Sequence, residues 1–177
     1  MKKFFALAVL CLSVSTLSHA DTSYADITYA PAQSHMTQGI GLGIYQLKDR
    51  APGWYLNGMI PLMPSNYSEY GYPYYSQQTD YSRAPYLINI GMSFPIIPPD
   101  LEIRVYKAIH AYVGIGYGEL NGIVKYDDGS WTDNTSLDKS GFNANAGFIM
   151  SFESFAFNVG INSITRGVYV GLGIRGR

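Results

Sequence analysis

Cysteine is nearly absent: Cys11 is the only one in 177 residues. That excludes a disulfide framework, a thiolate nucleophile and a cysteine-based metal centre in anything beyond the first apolar run. Cys11 follows Leu10 and not a small residue, so it does not read as a lipid attachment site. Histidine is scarce as well. Past residue 20 only His35 and His110 remain, far apart and without an acidic pair at ligand spacing, so no metal and no cofactor is expected. Asp, Glu, Lys and Arg make up only 14% of the chain and form no basic stripe, which argues against a nucleic-acid partner. Long apolar runs are missing too. Nothing after the N-terminus approaches the roughly 20 residues of a helical membrane span.

The N-terminus has its own logic. Lys2 and Lys3 precede the apolar run Phe4 to Leu12, and Ser18-His19-Ala20 places small residues where a signal peptidase reads them. Residues 1–20 are therefore expected to be a signal peptide, leaving 21–177 as a single domain. Loss of the two lysines leaves ten basic residues against thirteen acidic, a formal net charge of −3.

What remains is rich in tyrosine (sixteen) and glycine (nineteen), and it alternates. A strand sends successive side chains to opposite faces. Near the C-terminus Val168, Val170, Leu172 and Ile174 oppose Tyr169, Gly171, Gly173 and Arg175, and Phe155, Phe157, Val159 and Ile161 oppose Ala156, Asn158, Gly160 and Asn162. The same period runs through Phe142–Met150, with Ile149 the misfit, and through Ile103–Tyr117, Tyr86–Phe94, Trp54–Leu62 and Ile40–Ile44. No helical period fits these segments. An eighth strand, Tyr24 to Ala30, alternates only weakly.

Short connections (Asp49–Pro52, Ile97–Asp100, Glu153-Ser154) alternate with long ones (Pro64–Ala84, Glu119–Lys139), and the brief Pro31–Gln38 and Ser163–Arg166 fall on the long side. An even strand count with short turns at one end and longer loops at the other is the plan of a membrane barrel. A soluble, lipocalin-like binding barrel with an apolar interior shares the alternation. However, the non-apolar face carries Gly, Asn, Ser and Tyr where a water-facing exterior carries Lys and Glu. Apolar-face aromatics also gather at strand ends: Trp54, Phe94 and Phe155 at one rim, Tyr86, Tyr117 and Phe142 at the other. The expected fold is all-β: an antiparallel, up-and-down transmembrane β-barrel of eight strands.

The signal peptide, the glycine-studded polar face and the closing Gly167-Val168-Tyr169-Val170-Gly171-Leu172-Gly173-Ile174-Arg175 resemble the small bacterial outer-membrane β-barrel proteins, of the OmpX type and the OmpA transmembrane-domain type. The resemblance implies residence in the outer membrane of a Gram-negative cell, contact with its lipid and lipopolysaccharide, folding by the barrel-assembly machinery, and a monomeric state. The chain departs from that pattern by ending Arg175-Gly176-Arg177 where such proteins place an aromatic residue.

Candidate contact residues lie in the two long connections. Tyr67, Tyr70, Tyr72, Tyr74, Tyr75 and Tyr81 crowd the first, and Trp131 stands in the second behind the hairpin signal Asp128-Gly129. Tyrosine offers stiff contact area with a hydroxyl, suited to a host or cell-surface molecule, or it extends the barrel wall as a hairpin. Glu102, Arg104, His110 and Arg175 fall on the polar face near the short-turn end, a candidate lumen network. Some small barrels act on lipid acyl chains through His and Ser at the rim. Ser34-His35 is such a neighbouring pair, but adjacent strand residues point opposite ways and no catalytic residue is assigned. The expectation is a non-enzymatic surface barrel with a structural or adhesive role. A narrow channel or small-ligand transporter and a lipid-modifying enzyme stand as alternatives.

Overall fold

The computed structural model describes residues 22–69, 76–97 and 108–176. The expected signal peptide, Tyr70, Tyr72, Tyr74, Tyr75, Glu102 and Arg104 lie outside the described residues. Ten strands follow in chain order: β1 (Thr22–Ala30), β2 (Gly39–Leu47), β3 (Gly53–Pro61), β4 (Tyr67–Ser68), β5 (Gln78–Ile97), β6 (Ala108–Tyr126), β7 (Trp131–Asp133), β8 (Lys139–Ser151), β9 (Phe155–Asn162) and β10 (Gly167–Arg175). A short 3-10 turn, Thr135–Leu137, stands between β7 and β8. No helix among the described residues is long and apolar enough to cross a membrane.

Eight strands close on one another. β1, β2, β3, β5, β6, β8, β9 and β10 pair antiparallel in that order, and β10 pairs back onto β1 from Tyr24↔Arg175 to Tyr29↔Val170. Closure leaves the barrel no edge strand. The weakly alternating segment is a true strand, held along its whole length by β2. Its signal is weak because Tyr24, Asp26 and Thr28 face inward while the small Ala25 shares the outer face with Ile27 and Tyr29.

The faces are inverted relative to a soluble protein. Ile27 is 60% exposed, Ile115 68% and Phe142 91%, whereas Tyr55, Tyr112 and Ser93 on the inner face are fully buried. An apolar outer band around a polar interior is the arrangement for which lipid is the solvent. On β6 the band runs from Ile109 to Tyr117, about 26 Å along a strand at ~3.3 Å per residue, or roughly 20 Å along the normal at a tilt near 40°.

One correction concerns length. The long connections are partly strand: β5 begins at Gln78 and β6 runs to Tyr126, so the pair stands roughly 25 Å along the strands beyond the rim. Ile149, the apolar misfit in the polar row, is an inward residue, 1% exposed, clustered with Leu47 and Ala156 toward the short-turn end. Wide-bodied inner residues need narrow neighbours. A Cβ on Gly114 would fall on the Tyr55 hydroxyl, and one on Gly160 would fall on the Tyr112 hydroxyl, so these glycines make room for the rings.

Candidate functional site

The lumen is filled by aromatic rings and amides. Tyr45 and Tyr55 stack at 5.4 Å, and Tyr112 meets Tyr55 edge-on at 4.9 Å. From the long-loop end a hydrogen-bonded chain descends through them. The Ile164 N–H donates to Asn143 Oδ1 at 3.0 Å, and Asn143 Nδ2 donates to Asn89 at 2.7 Å and Asn162 at 2.8 Å. Asn89 donates to Asn57 at 2.9 Å, and Asn57 donates to the Tyr45 hydroxyl at 3.3 Å. Asn158 is the hub. Its Nδ2 donates to the same Tyr45 hydroxyl at 2.7 Å and to Asp26 Oδ2 at 2.9 Å, while its Oδ1 accepts from Tyr112 at 2.8 Å. The other carboxyl oxygen, Asp26 Oδ1, is buried without a hydrogen bond. Below the hub the tyrosine rings, Leu47, Ile149 and Ala156 form an apolar floor. A lumen void bounded by Thr28, Asn57, Asn89, Asn162 and Tyr169 holds about 10 Å³, at the lower limit for one water.

The expected network at the short-turn end is described at two of its four residues. His110 is buried, its Nε2 donating to the Lys48 carbonyl at 3.2 Å and its Nδ1 left without a partner. Arg175 is exposed at the mouth, with Nη1 3.5 Å from the Glu153 carbonyl. Each is tied to the backbone of a turn. Sequence reasoning put His110 on the inner face, where it is buried, but missed the part played by Asn158 and Asp26. The signal was the recurrence of asparagine at inward positions on β3, β5, β8 and β9.

At the other end the loops fold into a headpiece around the projecting β5–β6 hairpin. β7 pairs with β6 (Lys125↔Trp131), and β4 joins β7 in parallel (Tyr67↔Trp131). The first loop crosses to the far side of the hairpin, where Thr37 N donates to the Arg83 carbonyl and Arg83 N to the His35 carbonyl, both at 2.9 Å. The 3-10 turn is tied to the hairpin as well: Arg83 Nε donates to the Leu137 carbonyl at 3.0 Å, and Gly122 N donates to Asp138 at 2.7 Å. At the tip of the β6–β7 hairpin Gly129 takes φ +83°, the left-handed turn geometry its sequence predicted. The Asp128 carboxylate there accepts from the Ser130 hydroxyl at 2.6 Å and its N–H at 2.8 Å, and those bonds hold it below the usual carboxylate range.

The described contact candidates are all fixed in this headpiece. Burial, together with the Asp133 carboxylate that accepts its hydroxyl at 2.8 Å, pushes the Tyr67 phenol above its ordinary value. Tyr81 lies flat against His35, ring centres 4.2 Å apart, and the Arg83 guanidinium stands 5.9 Å from the same ring. His35 itself holds φ 58°, uncommon for a residue with a side chain. Trp131 has the Lys125 ammonium 6.0 Å from its ring and forms one wall of a groove of about 340 Å³, with Met36, Leu62, Met63 and Pro64 among the other walls. The two methionines were not singled out in the sequence, because nothing in either loop announces that they meet.

No group of three or more metal-ligating side chains converges among the described residues. Neither a family model nor a curated protein matches the sequence. Among solved structures, the N-terminal β-barrel domain of Pseudomonas aeruginosa OprF is similar over 89% of this chain and 98% of that one, at 13% identity and a TM-score of 0.50. Ail, the attachment invasion locus protein of Yersinia pestis, aligns over 87% of this chain and 91% of its own at 10% identity, with a TM-score of 0.46. At such identities the likeness is one of fold: this chain is an eight-stranded, closed antiparallel barrel of the kind seen in the OprF domain.

Proposed function

We propose that the chain is an exported outer-membrane protein, without enzymatic activity, whose barrel holds an ordered headpiece at the cell surface for contact with another surface or molecule. The observation that carries this reading is the headpiece itself. Its loops are hydrogen-bonded to one projecting hairpin, so Tyr67, Tyr81 and Trp131 are held in place before any partner arrives. Pre-ordered aromatic side chains lose little freedom on binding. The apolar outer band and the polar, crowded lumen support the membrane setting, with the headpiece external and the short turns periplasmic. Lipopolysaccharide would surround the barrel, the barrel-assembly machinery would insert it, and a monomer suffices, because the sheet has no barrel edge to pair.

The test has two stages. Outer-membrane fractions run with and without boiling should show a heat-dependent shift in gel mobility. Cells displaying the Tyr81→Ala/Trp131→Ala variant, with that shift intact, should lose binding to surfaces or aggregation that the parent confers. Unchanged binding would remove the headpiece from the explanation.

The channel alternative has one observation in its favour, the polar chain from Ile164 to Asp26. The floor of Leu47, Ile149 and Ala156 opposes it. Planar bilayers holding the protein should stay electrically silent, and discrete conductance steps would favour the channel. The acyl-modifying alternative rests on His35. Its ring is stacked on Tyr81 with Nδ1 3.3 Å from the Tyr81 carbonyl, a structural use of the side chain. Altered lipid A lost on His35→Ala would revive it.

A further inference from the structure

The groove beside Trp131 is not explained by a surface contact role alone. Its volume, about 340 Å³, lies at the small end of ligand sites. None of its described wall residues is charged, although Asp127, Asp128 and Asp133 stand close by in sequence. Its walls are mainly carbon, from Met36, Leu62, Met63, Pro64 and Trp131, with Thr37, Gln38 and Ser82 the polar remainder. Methionine and proline side chains of this kind accept flexible apolar chains better than sugars or peptides, which need paired donors and acceptors.

The groove is also continuous with the lipid-facing band. Ile40 and Ile60 are cross-strand partners on the outer face, and Leu62 follows Ile60 on that row, its N–H donating to the Gln38 carbonyl at 2.8 Å. All three are about two-fifths exposed. Leu62 thus ends the lipid-facing row and begins the groove wall. A hydrocarbon moving from one to the other along this row passes no charged side chain among the described residues.

We infer that the groove takes the end of one acyl tail from the surrounding outer leaflet, drawn up out of the bilayer. A chain so held ties the base of the headpiece to the membrane surface. It covers apolar area that would otherwise face water at the point where the first and second loops meet. The inference rests on the membrane setting proposed above, and the heat-dependent gel shift tests that setting separately.

The sequence supplies the probe. Its two tryptophans are Trp54, at the short-turn rim, and Trp131, so Trp54→Phe leaves Trp131 as the only indole. This variant of the mature chain is folded into phosphatidylcholine vesicles whose tails carry bromine either near the carboxyl end or near the methyl end. If a tail end occupies the groove, methyl-end bromine removes most of the Trp131 emission and does so at least as well as carboxyl-end bromine. Met63→Asp or Leu62→Asp, with the gel shift retained, then restores the emission. Quenching that falls from carboxyl-end to methyl-end bromine places Trp131 merely at the interface and overturns the inference. So does quenching by aqueous iodide alone, which would mean a groove open to water or reserved for a partner's side chain.

Discussion

Asn158→Leu is the most informative single change, because it keeps side-chain volume and removes the hub of the lumen network. Its three hydrogen bonds do not carry equal weight. The Tyr45 hydroxyl keeps Asn57 at 3.3 Å, and the Tyr112 hydroxyl keeps Tyr169 at 2.7 Å. Asp26 keeps no side-chain donor, since its Oδ1 has no hydrogen bond and Oδ2 loses the Asn158 amide, which leaves only the Gly43 backbone N–H beside the carboxyl. An abandoned buried polar group costs ~1–3 kcal/mol and a carboxyl group more, so the variant should lose roughly 3–5 kcal/mol of unfolding free energy. Asp26→Asn in the Asn158→Leu background replaces the orphaned carboxyl with a neutral amide and should return about 1–2 kcal/mol of that. Urea unfolding of the folded barrel in lipid vesicles, followed by tryptophan emission and by the heat-dependent gel shift, measures both steps. An Asn158→Leu protein that unfolds at the parent's urea concentration would refute the hub. A double variant no better than the single one would show that Asp26 is not what the hub satisfies.

Three further outcomes follow from the same geometry. Gly160→Ala sets a methyl on the Tyr112 hydroxyl and 2.6 Å from the Tyr169 ring, so overpacking should cost about 1–3 kcal/mol in the same urea assay, whereas Gly141→Ala, with nothing within 4 Å, should be neutral or slightly stabilising. Gly129→Val places a branched side chain at φ +83° and should cost the hairpin tip about 1–2 kcal/mol, read as faster amide exchange at Ser130 and Trp131 with an unchanged barrel. The Asp128 carboxyl is held below its usual range, so the support it gives the tip is complete above the unfolded-state value of about 3.9 and disappears as pH falls through the lower folded value. The protection of the Ser130 amide, its exchange rate relative to an unstructured amide at the same pH, should therefore fall only in strong acid, and a loss of protection near neutrality would contradict the assignment.

The parts legible in the sequence are those governed by a period of two. Seven strands show it because an apolar side chain must stand at every second position to face lipid. β1 shows it poorly because its outer face includes Ala25, and a closed antiparallel barrel needs that strand to join β2 to β10. Ile149 broke the pattern for a physical reason. Part of the lumen floor is apolar, so an inward residue there resembles an outward one. The headpiece was only half legible. Asp128-Gly129 announced a turn, but the crossing of residues 35–37 to Arg83 and the parallel β4–β7 pairing are long-range backbone contacts with no local signature.

The two halves of the molecule also divide the labour of stability. In the membrane band the outer face is soluble in lipid by composition alone, and closure satisfies the backbone, so uniqueness has to come from the lumen. Tyrosine and asparagine supply it. The Tyr45, Tyr55, Tyr112 and Tyr169 rings sit in spaces left by glycines, and the amides of Asn57, Asn89, Asn143 and Asn158 have directional partners, which an apolar filling of equal volume would lack. Once the lumen fixes the register of β5 against β6, the same two strands carry that register beyond the rim as far as Gln78 and Tyr126, where the β6–β7 turn begins. The surface aromatics therefore inherit their positions from buried amides and rings deep in the lumen. Substitutions at Asn158 or Gly160 should accordingly disturb the headpiece as well as the barrel, whereas substitutions at Gly129 should leave the barrel untouched.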